Sequence, residues 1–327
     1  MHSADDLTGP KLLAFRADLV REKRRVHVKG GRRGELKTTE QARSPATVNQ
    51  ELRAIRTILG YLRKCGLLPR LTTDGLRDGL ERLKVSHERV DYLKPHELRQ
   101  LLAAAVRHDA ARFTETRAEH AGLIPLGSTW RYEPVAPFVA CVLLSGMRRT
   151  EALTLEAKQV DLESFDNDGR VVGEIHLTGA TKTKRARTLD LAVSPALREL
   201  LEATLKSKRK RVFRLTKGTA AAAVKRLIAE YQAPENFGWQ MLRRTCGCFL
   251  TNAPGIFGAA SAYRSAKQLG HSVLVAERHY VDVVRGIPRE ARTLEHAMQI
   301  EAEVQQIIDA AKARASDDES AVSSMIA

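Results

Sequence analysis

The apolar residues of this chain recur mostly three and four positions apart, the spacing of amphipathic helices. Val48, Leu52, Ile55, Leu59 and Leu62 make the clearest stripe. Ser44-Pro45 places a cap and a first-turn proline before it, and Gly66 ends it. Gly9-Pro10 opens an earlier helix after Thr8, with Leu12, Phe15 and Leu19 on one face, and a further helix is predicted from Thr73 to Leu83. Residues 26–43 lack this period. They are Gly-rich and basic, and read either as a turn excursion touching a phosphate backbone or as a solvated linker. These pieces predict a small all-helical unit.

Periodicity lapses over residues 84–92 and resumes at Lys94-Pro95, where Leu98, Leu101 and Leu102 share a face. Residues 109–134 form a long, weakly patterned connection. The run 135–145 is almost wholly apolar and predicts a buried helix ending at Gly146. Val171 to Leu177 and Arg187 to Leu191 read as short antiparallel strands, joined by a turn carrying Lys182, Lys184 and Arg185. Ser194-Pro195 opens a helix with Leu197, Leu200 and Leu201, and a helix from Thr216 to Tyr231 bears Lys225 and Arg226. A C-terminal helix is predicted over 287–312. Its stripe of Leu294, Met298, Ile300, Val304, Ile307 and Ile308 suits packing either on a neighbouring protomer or in cis. The acidic end after Ala315 reads as disordered. The expected fold is mainly α (α+β), with boundaries at 1–86, a linker at 87–92, a second domain at 93–290 and a C-terminal helix and tail at 291–327.

Composition adds one strong constraint. The net charge is +15 and the pI near 9.9. Residues 1–90 carry +9 and residues 181–230 carry +10, while 301–327 carry −4. Clustered cation of this kind points to a polyanion partner such as nucleic acid. Arg53, Arg56, Arg63 and Lys64 lie off the apolar stripe of their helix, where they follow a DNA backbone or simply face water. No apolar run reaches membrane-spanning length, and Met1 to Asp6 lack a signal-peptide pattern, so a cytoplasmic, nucleoid-associated protein is expected. Cys65, Cys141, Cys246 and Cys248 are too scattered for a disulfide framework, and Cys246-Gly247-Cys248 has the wrong spacing for a zinc knuckle.

The chemistry concentrates between Trp239 and Tyr280. Within this stretch Arg243 and Arg244 offer guanidiniums, His271 an imidazole and, nine residues later, Tyr280 a phenol. A phosphodiester in transfer needs such a set. Guanidinium forks neutralise non-bridging oxygens, an imidazole adds a donor, and a hydroxyl attacks. No carboxylates are arranged like a cage for Mg²⁺, so no metal or other cofactor is expected. Upstream, Gly146-Met147-Arg148-Arg149-Thr150-Glu151 ends a core helix in a charged turn. A buried Arg148 there needs a partner, and Glu151 three residues on can supply it.

Taken together, these motifs resemble the tyrosine recombinase (phage integrase) family. Its boxes find counterparts in order: Gly146-x-Arg148-x-x-Glu151, Lys182 in the β-turn, Gln240-x-x-Arg243, Gly270-His271 and Tyr280. The resemblance covers about residues 44–290. It implies an N-terminal helical core-binding domain and a mostly helical catalytic domain with a small antiparallel sheet. It also implies roles. Tyr280 attacks the scissile phosphate to form a 3′-phosphotyrosyl bond, Arg148 and Arg243 clamp the non-bridging oxygens, and His271 donates to the phosphate. Lys182 protonates the leaving 5′-oxygen, with Lys184 its rival, and Glu151 orients Arg148. Arg53, Arg56, Arg63, Lys64, Lys184, Arg185 and Arg244 are candidate DNA contacts. The partners implied are double-stranded DNA and three further copies of the chain, a homo-tetramer on two DNA sites, with neither metal nor ATP consumed. One slot departs from the family, which usually has His where this chain has Gln240. Glutamine donates to a phosphate oxygen but takes no proton from Tyr280 at neutral pH. A catalytically impaired DNA-binding relative and a type IB topoisomerase-like enzyme are the alternative readings.

Overall fold

In a computed structural model, the chain divides into two compact units, Met1–Glu88 and Arg89–Ala327. The structure describes residues 6–27, 36–85, 91–111, 121–123, 133–165, 168–178, 186–205, 210–258, 261–281 and 284–326.

The first unit contains α1 (Gly9–Arg21), a ribbon of β1 (Lys23–His27) and β2 (Leu36–Ala42), α2 (Pro45–Lys64) and α3 (Thr73–Gly79). The Ser44 hydroxyl caps α2 by accepting from the Thr47 N–H, and Gly66 leaves the helix at φ +76°. The small core is Leu12, Leu19, Val48, Leu52, Leu68, Leu71, Leu76 and Leu80. Phe15 does not join it and stays 41% exposed. Helices α1 and α3 approach closely. A Cβ on Gly9 would lie 3.0 Å from the Gly75 Cα, and one on Gly79 would lie 2.6 Å from the Leu12 Cβ. Two predictions need correction. The last helix stops at Gly79 rather than Leu83, where the Leu83 N–H turns to the Asn49 side chain instead. The unit is also not all-helical, because the expected turn excursion is an antiparallel ribbon pairing Arg25 with Thr38 and Val26 with Lys37.

The second unit opens within the expected linker, with Tyr92 edge-on to Phe249 and Leu93 fully buried. Helix α4 (Pro95–Ala110) buries Leu98, Leu101 and Leu102, and Asp109 near its end accepts from the N–H groups of Val135 and Ala136. That carboxylate starts α5 (Ala136–Ser145), every residue of which is buried. After α6 (Arg149–Leu153) comes a three-stranded antiparallel sheet, β3 (Val160–Asp161), β4 (Glu174–Leu177) and β5 (Arg187–Asp190). Its strands are shorter than predicted, and β3 was not foreseen. Helices α7 (Pro195–Leu205), α8 (Lys217–Tyr231), α9 (Trp239–Asn252), α10 (Pro254–Phe257), α11 (Ser261–Leu269) and α12 (Val273–Tyr280) complete the body. In the core, Trp239 packs edge-on to Phe138 and Phe237.

The C-terminal segment differs from the expected single helix. It is two helices, α13 (Leu294–Met298) and α14 (Glu301–Ile326), broken at Gln299 with φ +57°. The helix also runs on past Ala315, where disorder was predicted. Its alanine-rich sequence favours helix, and its start is already nucleated by packing. The two orientations left open by periodicity are decided in favour of cis. Leu294, Met298, Ile300, Val304, Ile307 and Ile308 are at most 1% exposed within this chain's own core. Among the described residues, no helix is long and apolar enough to cross a membrane.

Candidate active site

Arg243 organises the site. It sits on the buried face of α9, one turn from Trp239, and is 4% exposed. Its Nη1 donates to the Gly146 carbonyl at 2.6 Å, and its Nη2 donates to the Leu269 carbonyl. One guanidinium therefore ties the turn after α5 to the end of α11. Gly146 is required at that turn. Its φ is +62°, and a Cβ there would meet the Leu269 Cδ2 at 2.3 Å and the Cys246 Sγ at 2.9 Å. Burial, then the charges of Arg148 and Arg187, push the Arg243 pKa down to about 10, so it remains a cation at neutral pH.

Arg148 is the residue before α6. Its backbone N–H donates to Glu151 Oε2 at 2.8 Å and its Nη1 to Oε1 at 2.9 Å. The pairing expected from the Arg-x-x-Glu spacing is therefore present. Sequence reasoning missed the other half of it. Arg187 closes a fork on the same carboxylate, Nη1 to Oε1 at 3.2 Å and Nη2 to Oε2 at 2.7 Å. Burial raises the Glu151 pKa, but the Arg187 charge and the Arg148 and Arg187 hydrogen bonds outweigh it and hold the carboxyl below its usual range. Arg187 was readable only as a strand residue. The available signal was alternation: it lies two positions from Leu189, which is fully buried, so an arginine points to the inner face of β5. Gln268 anchors that strand by bonding both the N–H and the carbonyl of Asp190. Gly270, at φ +70°, lets Arg187 pass. A Cβ there would lie 2.7 Å from the Arg187 Cδ.

His271 follows Gly270. Its Nδ1 lies 3.0 Å from the Ser272 carbonyl, an acceptor, so this nitrogen carries the hydrogen. Its Nε2 is buried and has no hydrogen-bond partner among the described residues. Burial lowers the His271 pKa, the Ser272 bond opposes that, and the Arg243, Arg148 and Arg187 charges lower it further, so the ring is neutral at pH 7. Its centroid lies 5.5 Å from that of Tyr280.

Tyr280 ends α12, with 7% exposure. The ring presses on α9 at Gly247, where a Cβ would lie 2.9 Å from the Tyr280 Cε2. Asn252 donates to both the Cys248 and Tyr280 carbonyls, fastening the end of α12 to α9. Burial raises the phenol pKa, and Arg243 acts against it. Arg148, Arg243, His271, Tyr280 and Glu151 thus lie together, with Arg187 added. Three guanidiniums face one carboxylate, which leaves two positive charges uncompensated among the described residues.

Gln240 is exposed on the first turn of α9, with no hydrogen bond among the described residues, and Arg244 is exposed on the same helix. Lys182, Lys184 and Arg185 lie outside the described residues. In the first unit, Arg53 and Lys64 are exposed, and Arg63 is half-buried. Arg56 donates to the Arg77 carbonyl at 2.9 Å, a tie between α2 and α3 that occupies part of its guanidinium. Cys141, Cys246 and Cys248 are buried thiols, each pushed up to about 12 by burial. Among the described residues, no group of three or more His, Cys, Asp or Glu is placed to hold a metal ion.

No protein-family profile matches the sequence, and no curated protein sequence matches it significantly. The fold does match solved structures. One is the XerH site-specific recombinase bound to palindromic difH substrate in a post-cleavage complex, at 17% identity and a TM-score of 0.50, over 84% of this chain and 68% of that one. Another is the Tn1549 transposon integrase in complex with circular intermediate DNA, at 11% identity and a TM-score of 0.50, over 88% of this chain and 85% of that one. The chain shares the fold of the tyrosine recombinases.

Proposed function

We propose that this protein is a site-specific DNA recombinase that cleaves and rejoins duplex DNA through a 3′-phosphotyrosyl intermediate on Tyr280. The observation that carries the reading is the convergence of Arg148, Arg243, His271 and Tyr280 on one patch with an excess of two positive charges. Such an excess, largely enclosed and held by fixed hydrogen bonds, suits an anion whose charge grows in a transition state. A scissile phosphate is that anion. The DNA carried by both structural neighbours agrees with a duplex partner.

In this mechanism the Tyr280 oxygen attacks phosphorus, the bond to the 5′-oxygen breaks, and Arg148 and Arg243 hold the two non-bridging oxygens. Glu151 and Arg187 position Arg148. Lys182 protonates the leaving oxygen. The phenol must lose its proton, and Gln240 cannot accept it. Neutral His271, with its hydrogen on Nδ1, offers Nε2 as the acceptor, and once protonated the same atom donates to a phosphate oxygen. Rejoining reverses these steps, so one ester replaces another and neither ATP nor a metal is consumed. Exchange between two duplexes requires four active subunits, hence a homo-tetramer on two sites. The apolar stripe of α13 and α14 does not supply its contacts, being buried in cis.

The test is a suicide duplex pool of random sequence, in which a nick lets the cleaved strand diffuse away. Wild-type protein is expected to form a covalent complex resistant to denaturant, and Tyr280→Phe to abolish it. A complex that persists in Tyr280→Phe rejects Tyr280 as nucleophile. Salt-sensitive binding without any covalent product supports the second reading, a DNA-binding relative impaired at Gln240.

A further inference from the structure

We propose that the β1–β2 ribbon of the first unit is a phosphate-contacting arm for duplex DNA, separate from the α2 cations and from the catalytic cluster. The inference rests on the reading of duplex DNA as the partner.

Among its described side chains, the ribbon buries neither face. Residues 23–25 of β1 and all of β2 except Thr39 are exposed. Among the described residues, the Lys23–Glu40 ion pair and the Thr39 hydroxyl on the Arg24 carbonyl are the links its side chains make across the strands. A lone two-stranded hairpin is marginal in water. This one also carries cations with no acidic partner among the described residues, Arg24 and Arg25 on β1 and Lys37 on β2.

Its root is nevertheless built. The Arg43 side chain, 11% exposed, is held by Glu22 and Glu51, and a cleft of about 730 Å³ lined by Glu22, Arg24, Arg25, Arg43 and Glu51 opens there. The acidic groups near the root are thus committed to Arg43, and Glu40 is committed to Lys23. Among the described residues, no acidic side chain pairs with Arg24, Arg25 or Lys37. An anchored ribbon whose remaining cations are unpaired is complementary to a polyanion. A two-stranded ribbon also has the width of the DNA major groove, where such cations meet phosphates on the groove's edges. These contacts are sequence-independent, because no side chain suited to reading a base is needed.

The experiment measures binding of the full chain to a 40-base-pair random duplex by fluorescence anisotropy, between about 50 and 200 mM salt. The variant is Arg24→Ala/Arg25→Ala/Lys37→Ala. A control removes equal charge from exposed positions elsewhere in the unit, as Arg70→Ala/Arg82→Ala/Lys84→Ala. Loss of three phosphate contacts lowers the slope of log K against log salt by about 2.7, and affinity at the lowest salt by at least about tenfold. The melting temperature should hold, since no ion pair among the described residues is lost. Equal affinity and slope in the ribbon variant overturn the proposal, as does an equal loss in the control, which would mark a net-charge effect. Wild-type protein that forms the phosphotyrosyl complex while the ribbon variant binds normally sinks the arm alone. Wild-type protein that binds no duplex sinks the proposed function and the arm with it.

Discussion

The exposed arginines of the first unit and the enclosed pair at the candidate site of the second work in opposite ways. In the first, Arg24, Arg25 and Arg53 stand in water. In the second, Arg243 and Arg187 are almost wholly enclosed, and each is held by two fixed acceptors. An exposed cation acts by number, is screened by salt and tolerates imprecise placement. A buried one pays for its desolvation with bonds that fix its direction, and is then preorganised for a single anion. The first arrangement suits holding a polymer, and the second suits doing chemistry at one phosphorus.

The sharpest way to break this contrast is Arg243→Ala. Single-turnover cleavage by bound protein should fall by about 10²–10³, the usual cost of losing one preorganised donor, and by the same factor at low and high salt. A loss that vanishes at low salt would place Arg243 with the surface cations instead.

Arg187→Gln tests whether the residue acts through Glu151. Single-turnover rate should drop by about tenfold, with unchanged duplex affinity, since leaving a buried charge half-paired costs about 1–3 kcal/mol. Acid stability provides a second readout. The Glu151 carboxyl titrates below its unfolded value, so its contribution is present above about pH 4.5 and is lost as pH falls through the folded value. Removing Arg187 should shrink that acid-side loss in a pH series of urea melts. An unchanged series would leave Arg187 a bystander.

The smallest effect is expected from Arg53→Ala/Lys64→Ala. Cleavage by bound protein should be unaffected, and the salt slope of duplex binding should fall by about 1.8. A changed cleavage rate at saturating protein would blur the division between the two units.

Much of the fold was legible because local patterns decided it. The α2 stripe with its Ser44 cap, the wholly apolar α5 and the Pro95 start of α4 each follow from residues within a turn or two of one another. The order of the motifs likewise pointed to the tyrosine recombinase fold. Failures fell where the deciding contact was distant. Phe15 has the period of a core residue, but it stays exposed while Leu12 and Leu19 are buried. Residues 36–42 lack helical period, yet pairing with residues 23–27 makes them a strand of a ribbon.

The candidate site shows the same division. Sequence alone determined which side chains were available: Arg148 with Glu151 three residues on, Arg243 on a helix, and His271 nine residues before Tyr280. Tertiary structure alone decided that Arg243 would bridge the Gly146 and Leu269 carbonyls, and that Arg187 would share Glu151 with Arg148. It also decided that the C-terminal stripe would pack in cis. Period and spacing report on neighbours along one element, whereas these choices were made by desolvation, which depends on what the rest of the chain brings alongside.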